Sequence, residues 1–299
     1  MNAEDTLGNS VMNGKEAHKP LTDEEFDLLR KFIYEHTGIS LADHKRALIY
    51  SRLARRLRFH GMNSYGKYYE LLIDGDPDGN ELGEMINAIT TNKTDFYREG
   101  HHFEFLAEQI IPSIKQQAIA TNDRKIRIWS AASSTGQEPY TIAMTLLDTL
   151  VNVSNWDVKI LATDIDTNVL AYAESGVYNQ DQSEQLPEDK LQRYFRKSRG
   201  DQESLVMAKP VLKSLIAFRQ LNLLSEPWPI RGPFDVIFCR NVIIYFDKQT
   251  QQRLITRLSQ LLKPKGYLML GHSEALHSIE HKLEHLGKNI YVLNNHDEL

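Results

Sequence analysis

A chain of 299 residues has room for one large domain, or for a large and a small one. Its 41% hydrophobic and 25% charged residues are ordinary globular composition, enough for a sizeable core. The net charge of −5 excludes polyanion binding through overall charge, so any basic surface must be local. The single cysteine, Cys239, excludes an internal disulfide or a Cys-rich metal site, and no stretch approaches the ~20 apolar residues that span a bilayer. A cytoplasmic protein is expected.

Residues 1–19 are polar and of mixed charge, with no apolar run, and read as a disordered tail without a signal peptide. Thr22 and Glu25 have capping-box spacing, and Phe26, Leu29 and Ile33 then recur at helical intervals. Further helices are expected over about 43–59, 64–74 and 79–89, punctuated by Gly38, Gly61 and an Asp-Gly-Asp-Pro-Asp-Gly run. Residues 20–89 therefore predict a small all-helical domain, followed by a linker over 90–100.

The pattern then changes. A helix over about 101–120 leads into a strand at Lys125–Ala131, a turn containing Gly136 and a helix to about 151. Strands follow at 158–164, 215–219, 234–239, 267–270 and 289–293, with helices over about 167–174 and 248–262. This alternation predicts an α/β domain over 101–299, built on a Rossmann-like, doubly wound and mostly parallel sheet. Residues 178–214 are too long for a simple crossover and predict an inserted β subdomain, partly a hairpin.

Ligands of an open α/β sheet bind beyond the carboxyl ends of its strands. There the first strand runs into Ala131-Ala-Ser-Ser-Thr-Gly-Gln-Glu138 and the second ends at Asp164. The third runs into Asn222-Leu223 and the fourth into Arg240-Asn241, with Tyr245 shortly after. Polar residues begin loops in any protein, but four such ends with an acid after each of the first two favour a nucleoside site. The phosphate loop Gly-x-x-x-x-Gly-Lys and the dinucleotide pattern Gly-x-Gly-x-x-Gly are both absent. Glu138 would repel a pyrophosphate but suits the ammonium and sulfonium of S-adenosylmethionine. Thr90–Gly100, between the two domains, is placed to drape over this crevice, and Arg98 within it can grip a carboxylate. A helix cap at Thr94 and an ordinary ion pair for Arg98 are the plainer alternatives.

Taken together, Thr91–Glu99, Trp129–Tyr140, Ala162–Asp166, Phe234–Phe246, Leu262–Gly266 and Gly271–Glu274 resemble the chemotaxis-receptor glutamate methyltransferase (CheR) family from about residue 20 onward. Gln137 stands where family members often carry Glu. The resemblance implies transfer of a methyl group from S-adenosylmethionine to glutamate side chains of methyl-accepting chemotaxis receptors. It implies cofactor contacts from Asn92, Thr94, Arg98, Glu138, Asp164, Asn222, Leu223, Arg240 and Asn241. Chemistry places Glu138 at the ammonium, Asp164 at the ribose, Asn222 and the Leu223 backbone at the adenine edge, and Arg98 and Tyr245 nearest the transferred methyl.

Residues 45–58 are strongly basic, and Lys45, Arg52, Arg55 and Arg56 fall on one helical stripe. A solvated face is the commoner meaning of such a run. Nucleic-acid binding lacks an aromatic platform or motif here, and the Asn/Asp-Pro-Pro-Tyr signature of amino methyltransferases is absent. The resemblance favours docking on acidic receptor helices. It also implies that the inserted β subdomain, near Arg196, Lys197, Arg199 and Gly200, takes up a short receptor peptide as an added strand. Cys239 reads as a buried small hydrophobe. No metal is expected, because the adjacent His101 and His102 should point different ways on a helix.

Overall fold

A computed structural model describes residues 20–197 and 205–294. The expected tail over 1–19 and the residues Arg199 and Gly200 lie outside the described residues.

Four helices form the N-terminal unit: α1 (Asp23–Thr37), α2 (Arg46–Phe59, entered through a 3-10 turn at Asp43–Lys45), α3 (Tyr65–Asp74) and α4 (Asn80–Ile89). The Thr22–Glu25 capping box satisfies the first amides of α1. Leu29, Ile33, Leu53, Leu57, Tyr65, Tyr68 and Met85 make its closed apolar core. Glu81 ties three helices together, accepting from Arg56 Nε (2.9 Å) and the Tyr68 hydroxyl (2.6 Å) and meeting His60 Nε2 at 2.7 Å. Burial pushes the Glu81 carboxyl up, but Arg56, Tyr68 and His60 outweigh it and hold the group below its usual range.

This geometry corrects the expected basic stripe. Arg52 is spent on the carbonyls of Ile89 and Thr90 and on Thr91 Oγ1, and Arg56 on Glu81 and Glu84. Of the four residues only Lys45 and Arg55 remain exposed. A helical wheel shows which residues share a face, not which face packs on α4. Glu81→Ala should cost about 3 kcal/mol, because it leaves Arg56 largely buried without its main counter-ion. Since the folded pKa of Glu81 is depressed, its contribution is present above the normal carboxylate range and lost as pH falls through the folded value. Thermal melts from pH 7 to 3 should converge for wild type and variant at the acid end; a constant gap would contradict this.

The α/β unit begins with α5 (His101–Phe105), a π turn (Leu106–Ile110) and α6 (Ile111–Thr121), where the sequence predicts one regular helix. Pro112 has no N–H for the carbonyl of Glu108, and the helix widens just before it. Then come β1 (Lys125–Ala131), α7 (Gln137–Thr149), β2 (Asp157–Asp164) and α8 (Thr167–Ser175). The insertion holds β3 (Val177–Tyr178), α9 (Gln180–Ser183), α10 (Glu188–Tyr194), β4 (Phe195–Lys197), β5 (Val206–Ala208) and α11 (Pro210–Lys213). It forms its own antiparallel sheet, ordered β3-β5-β4. The chain continues with β6 (Ile216–Gln220), β7 (Phe234–Cys239), α12 (Lys248–Gln260), β8 (Leu262–Leu270), β9 (Leu283–Gly287) and β10 (Ile290–Leu293).

The main sheet has the order β6-β2-β1-β7-β8-β10-β9, parallel through its first five strands and antiparallel at β10 and β9. The period-2 alternation of strand side chains sets its two covered faces. Ile126, Ile128, Val236 and Phe238 pack under α7, while Trp129, Ala131, Ile237 and Cys239 pack under α12. Strand β9 is not evident in the sequence: Leu283-Glu-His-Leu alternates poorly. Its signal is the turn Gly287-Lys288-Asn289, all three at positive φ, which closes a hairpin with β10. Among the described residues no helix is long and apolar enough to cross a membrane.

Candidate functional site

In this strand order the chain leaves β1 toward β2 on one side and later returns at β7 on the other. The crevice between the carboxyl ends of β1 and β7 is therefore the topological switch point, where open α/β sheets bind ligands. A cavity of about 180 Å³ lies there. Lining it are Asn92, Thr94 and Arg98 from the linker, Glu138 and Asp164 after β1 and β2, Asn222 and Leu223 after β6, and Arg240, Asn241 and Tyr245 after β7. All ten cofactor and catalytic candidates thus border one cavity, and Lys45 joins them at its edge.

The turn after β1 is held open by backbone geometry. Ala132, Ser134 and Gly136 have positive φ, and a Cβ at Gly136 would meet Ala173 at 2.8 Å and the Tyr178 hydroxyl at 2.9 Å. Asp164 fixes the turn, accepting from Ser134 N (2.8 Å) and Asp166 N (3.0 Å). Burial pushes the Asp164 carboxyl up to about 6, against the pull of those amides. Glu138 accepts from Ser130 Oγ (2.8 Å) and Arg240 Nη1 (2.9 Å). Burial pushes its pKa up, while Arg240 and Ser130 work against that.

Several groups serve the frame as well as the cavity. The Arg240 side chain is 2% exposed and bridges Glu138 and Glu99, with its Nη2 donating to Arg98 O. The Asn222 amide donates to His36 O (2.7 Å) and accepts from Leu224 N (2.9 Å), so it joins α1 to the loop after β6. The Asn92 amide donates to Asp166 Oδ2 at 2.7 Å, and Ser134 Oγ donates to Asn92 O at 3.0 Å, which stitches the linker to the sheet. Arg98 is half-buried, donates to Lys93 O (2.8 Å), and has no carboxylate within ion-pair distance among the described residues. The ordinary ion pair that the sequence allowed for Arg98 is thus absent among those residues, and no cap forms at Thr94.

Sequence reasoning gave two parts of this site no role in it, although Glu274 closes the Gly271–Glu274 segment of the family resemblance. Glu274, 4% exposed, accepts from the amides of Asn241 (2.7 Å), Ile243 (2.8 Å) and Gly271 (2.6 Å), fixing the loop after β7. The end of α1 also forms a roof. Ser40 N donates to Tyr245 O at 2.8 Å, Tyr34 bonds Asp247, and Thr37–Leu41 line the cavity. Gly38 makes this approach possible, since a Cβ there would lie 2.4 Å from Leu224. The only sequence signal was that glycine, which also serves as a helix terminator.

A switch-point cavity with buried carboxylates on β1–α7 and β2, and no phosphate-binding loop, fits the cofactor of an S-adenosylmethionine-dependent methyltransferase, and the family match makes the chain one. The chain belongs to the CheR methyltransferase family: residues 24–90 match its all-alpha domain and residues 92–292 its SAM binding domain. It is 44% identical over 274 residues to the chemotaxis protein methyltransferase of Escherichia coli K12, covering 91% of this chain and 92% of that protein. It is 43% identical over 281 residues to chemotaxis protein methyltransferase 2 of Pseudomonas aeruginosa, covering 94% and 96%. Its identity to the chemotaxis protein methyltransferase of Borreliella burgdorferi is 39% over 257 residues, covering 86% and 89%.

Proposed function

We propose that this enzyme esterifies glutamate side chains on the cytoplasmic helices of methyl-accepting chemotaxis receptors, and that the cavity at the switch point holds its cofactor. The observation that carries this reading is where the cavity places its charges: two acids, Glu138 and Asp164, line it after adjacent strand ends, and Arg98, with no carboxylate within ion-pair distance among the described residues, lines it from the linker. The acids suit a cationic nucleoside with ribose hydroxyls, and the arginine suits an incoming carboxylate.

S-adenosylmethionine supplies an activated methyl group on a cationic sulfur. A glutamate side chain, with an ordinary pKa of about 4.3, is already ionised near neutral pH, so no general base is required. What remains for the protein is alignment and removal of water. Glu138 takes the ammonium end and Asp164 the ribose, while the Leu223 backbone and the free hydrogen of Asn222 meet the adenine edge. Arg98 holds the acceptor carboxylate, the Tyr245 hydroxyl orients it, and the α1 roof keeps the site dry. Arg240 and Asn241 border the cofactor and set the position of Glu138 and the loop. Incubation with radiolabelled S-adenosylmethionine and receptor-bearing membranes should give base-labile incorporation. Base-stable label, or label in nucleic acid, would reject the reading.

The ribose role of Asp164 has a pH signature. Its carboxyl, raised to about 6, must be ionised to accept from both hydroxyls. Affinity for S-adenosylhomocysteine should therefore be constant above about pH 6 and fall about tenfold per unit below it. Calorimetry from pH 7.5 to 5 tests this, and flat affinity would remove the role.

Exposed Lys45 and Arg55 support docking on acidic receptor helices, an attraction that weakens with salt. The edge of β4, where Arg196 and Lys197 are exposed, suits an added strand from a receptor's C-terminal peptide. A peptide titration should show saturable binding that is reduced in Arg196→Glu; no binding would remove the tether.

A further inference from the structure

The sequence suggests that His101 and His102 diverge, yet their ring centroids lie 4.2 Å apart. One ligand atom each from Glu99, His101 and His102 fall within 4.8 Å of one another. His102 is fully buried, and its Nε2 meets the Lys288 carbonyl at 3.0 Å. A carbonyl only accepts, so Nε2 carries the proton and Nδ1 presents a lone pair. Nδ1 lies 3.7 Å from Glu99 Oε2. Two acceptors thus face each other, and both are buried with no hydrogen-bond partner among the described residues. The Arg240 guanidinium lies 3.1 Å from Glu99 Oε2, a charge contact without the alignment of a hydrogen bond.

We propose that Glu99, His101 and His102 form a binding site for a borderline transition-metal dication such as Zn²⁺, and that its occupation weakens cofactor binding. Zinc takes imidazole nitrogen and carboxylate oxygen at roughly 2.0–2.2 Å, so ligand atoms 3.7 Å apart subtend an angle of roughly 120° at the metal. Two imidazoles and one carboxylate are the donor set of such ions rather than of Mg²⁺ or Ca²⁺. Arg240 would repel a cation by itself. Glu99 and Glu138 both pair with Arg240, however, setting two carboxylates against one guanidinium.

The coupling runs through Glu99. Its Oε1 accepts from Asn241 Nδ2 (3.3 Å) and His272 N (3.2 Å), and its Oε2 balances Arg240. A metal on Oε2 removes half of the charge balance of Arg240 and draws that guanidinium onto Glu138, the acid assigned to the ammonium of the cofactor. This second half rests on the proposed cofactor site; the metal site itself does not.

The test titrates the full chain with Co²⁺, read by its visible absorption, and with S-adenosylhomocysteine by calorimetry, with and without saturating Zn²⁺. Wild type should bind one Co²⁺ that His101→Ala weakens about tenfold or more. His102→Gln, checked by its melting curve, should do the same. Zn²⁺ should weaken S-adenosylhomocysteine binding about tenfold in wild type and not in His101→Ala. Equal Co²⁺ binding by wild type and both variants would overturn the site, leaving a bridging water between the two acceptors. Unchanged cofactor affinity at saturating Zn²⁺ would overturn the coupling. Failure of S-adenosylhomocysteine to bind even without metal would reject the cavity assignment, while the Co²⁺ titration still reads the site.

Discussion

Arg98→Ala is expected to lower kcat/KM for receptor methylation by about a hundredfold to a thousandfold while the fold and cofactor affinity stay close to wild type. Arg98 is anchored through Lys93 O and has no acidic partner among the described residues, so its charge is free to meet a ligand. A cation beside a sulfonium is unfavourable unless an anion comes between them, and the acceptor carboxylate is that anion. One charge-assisted, bidentate contact in a dry site accounts for the size of the loss. The parameter that moves separates two roles. A fall in kcat with unchanged S-adenosylmethionine affinity assigns Arg98 to the acceptor, whereas weaker cofactor binding assigns it to the carboxylate of the methionine moiety. Methylation at the wild-type rate would remove both.

Glu138→Gln should weaken S-adenosylhomocysteine binding by about a hundredfold or more, because the amide keeps the shape and loses the charge that meets the ammonium. Both substitutions leave Arg240, whose side chain is 2% exposed, with Glu99 as its one remaining close counter-ion, a loss of about 3 kcal/mol. Glu138→Ala should lower the melting temperature further, because it also removes the acceptor of Ser130 Oγ and Arg240 Nη1. Equal loss of ligand affinity with unequal melting temperatures would separate ligand recognition from frame stability. If the glutamine variant binds the cofactor product normally, the ammonium end lies elsewhere.

Much of the site was legible because its residues sit where grammar places them: at the carboxyl ends of strands whose short apolar runs are plain in Lys125–Ala131, Asp157–Asp164 and Phe234–Cys239. Less legible were groups whose partners are distant in sequence. Arg52 and Arg56 looked like a docking face until α4 and the linker after it supplied their partners 25 to 39 residues away. Arg240 and Asn222 were expected as cofactor contacts, and both also carry bonds that hold the frame. Strand β9 was missed because Leu283–Gly287 is short, carries one leucine on each face and lies at the sheet edge, where packing demands little of sequence.

By itself the sequence determined a helical unit, a doubly wound sheet and a row of polar strand ends, because local periodicity and turn chemistry are written residue by residue. Only the tertiary structure decided that Thr37–Leu41 roof the cavity, that Glu99 and Glu138 share one arginine, and that two adjacent histidines converge beside it. The roof depends on how the two units pack, the shared arginine on distances between segments up to 142 residues apart, and the histidine pair on how its helix packs beside Arg240, none of which a local pattern encodes.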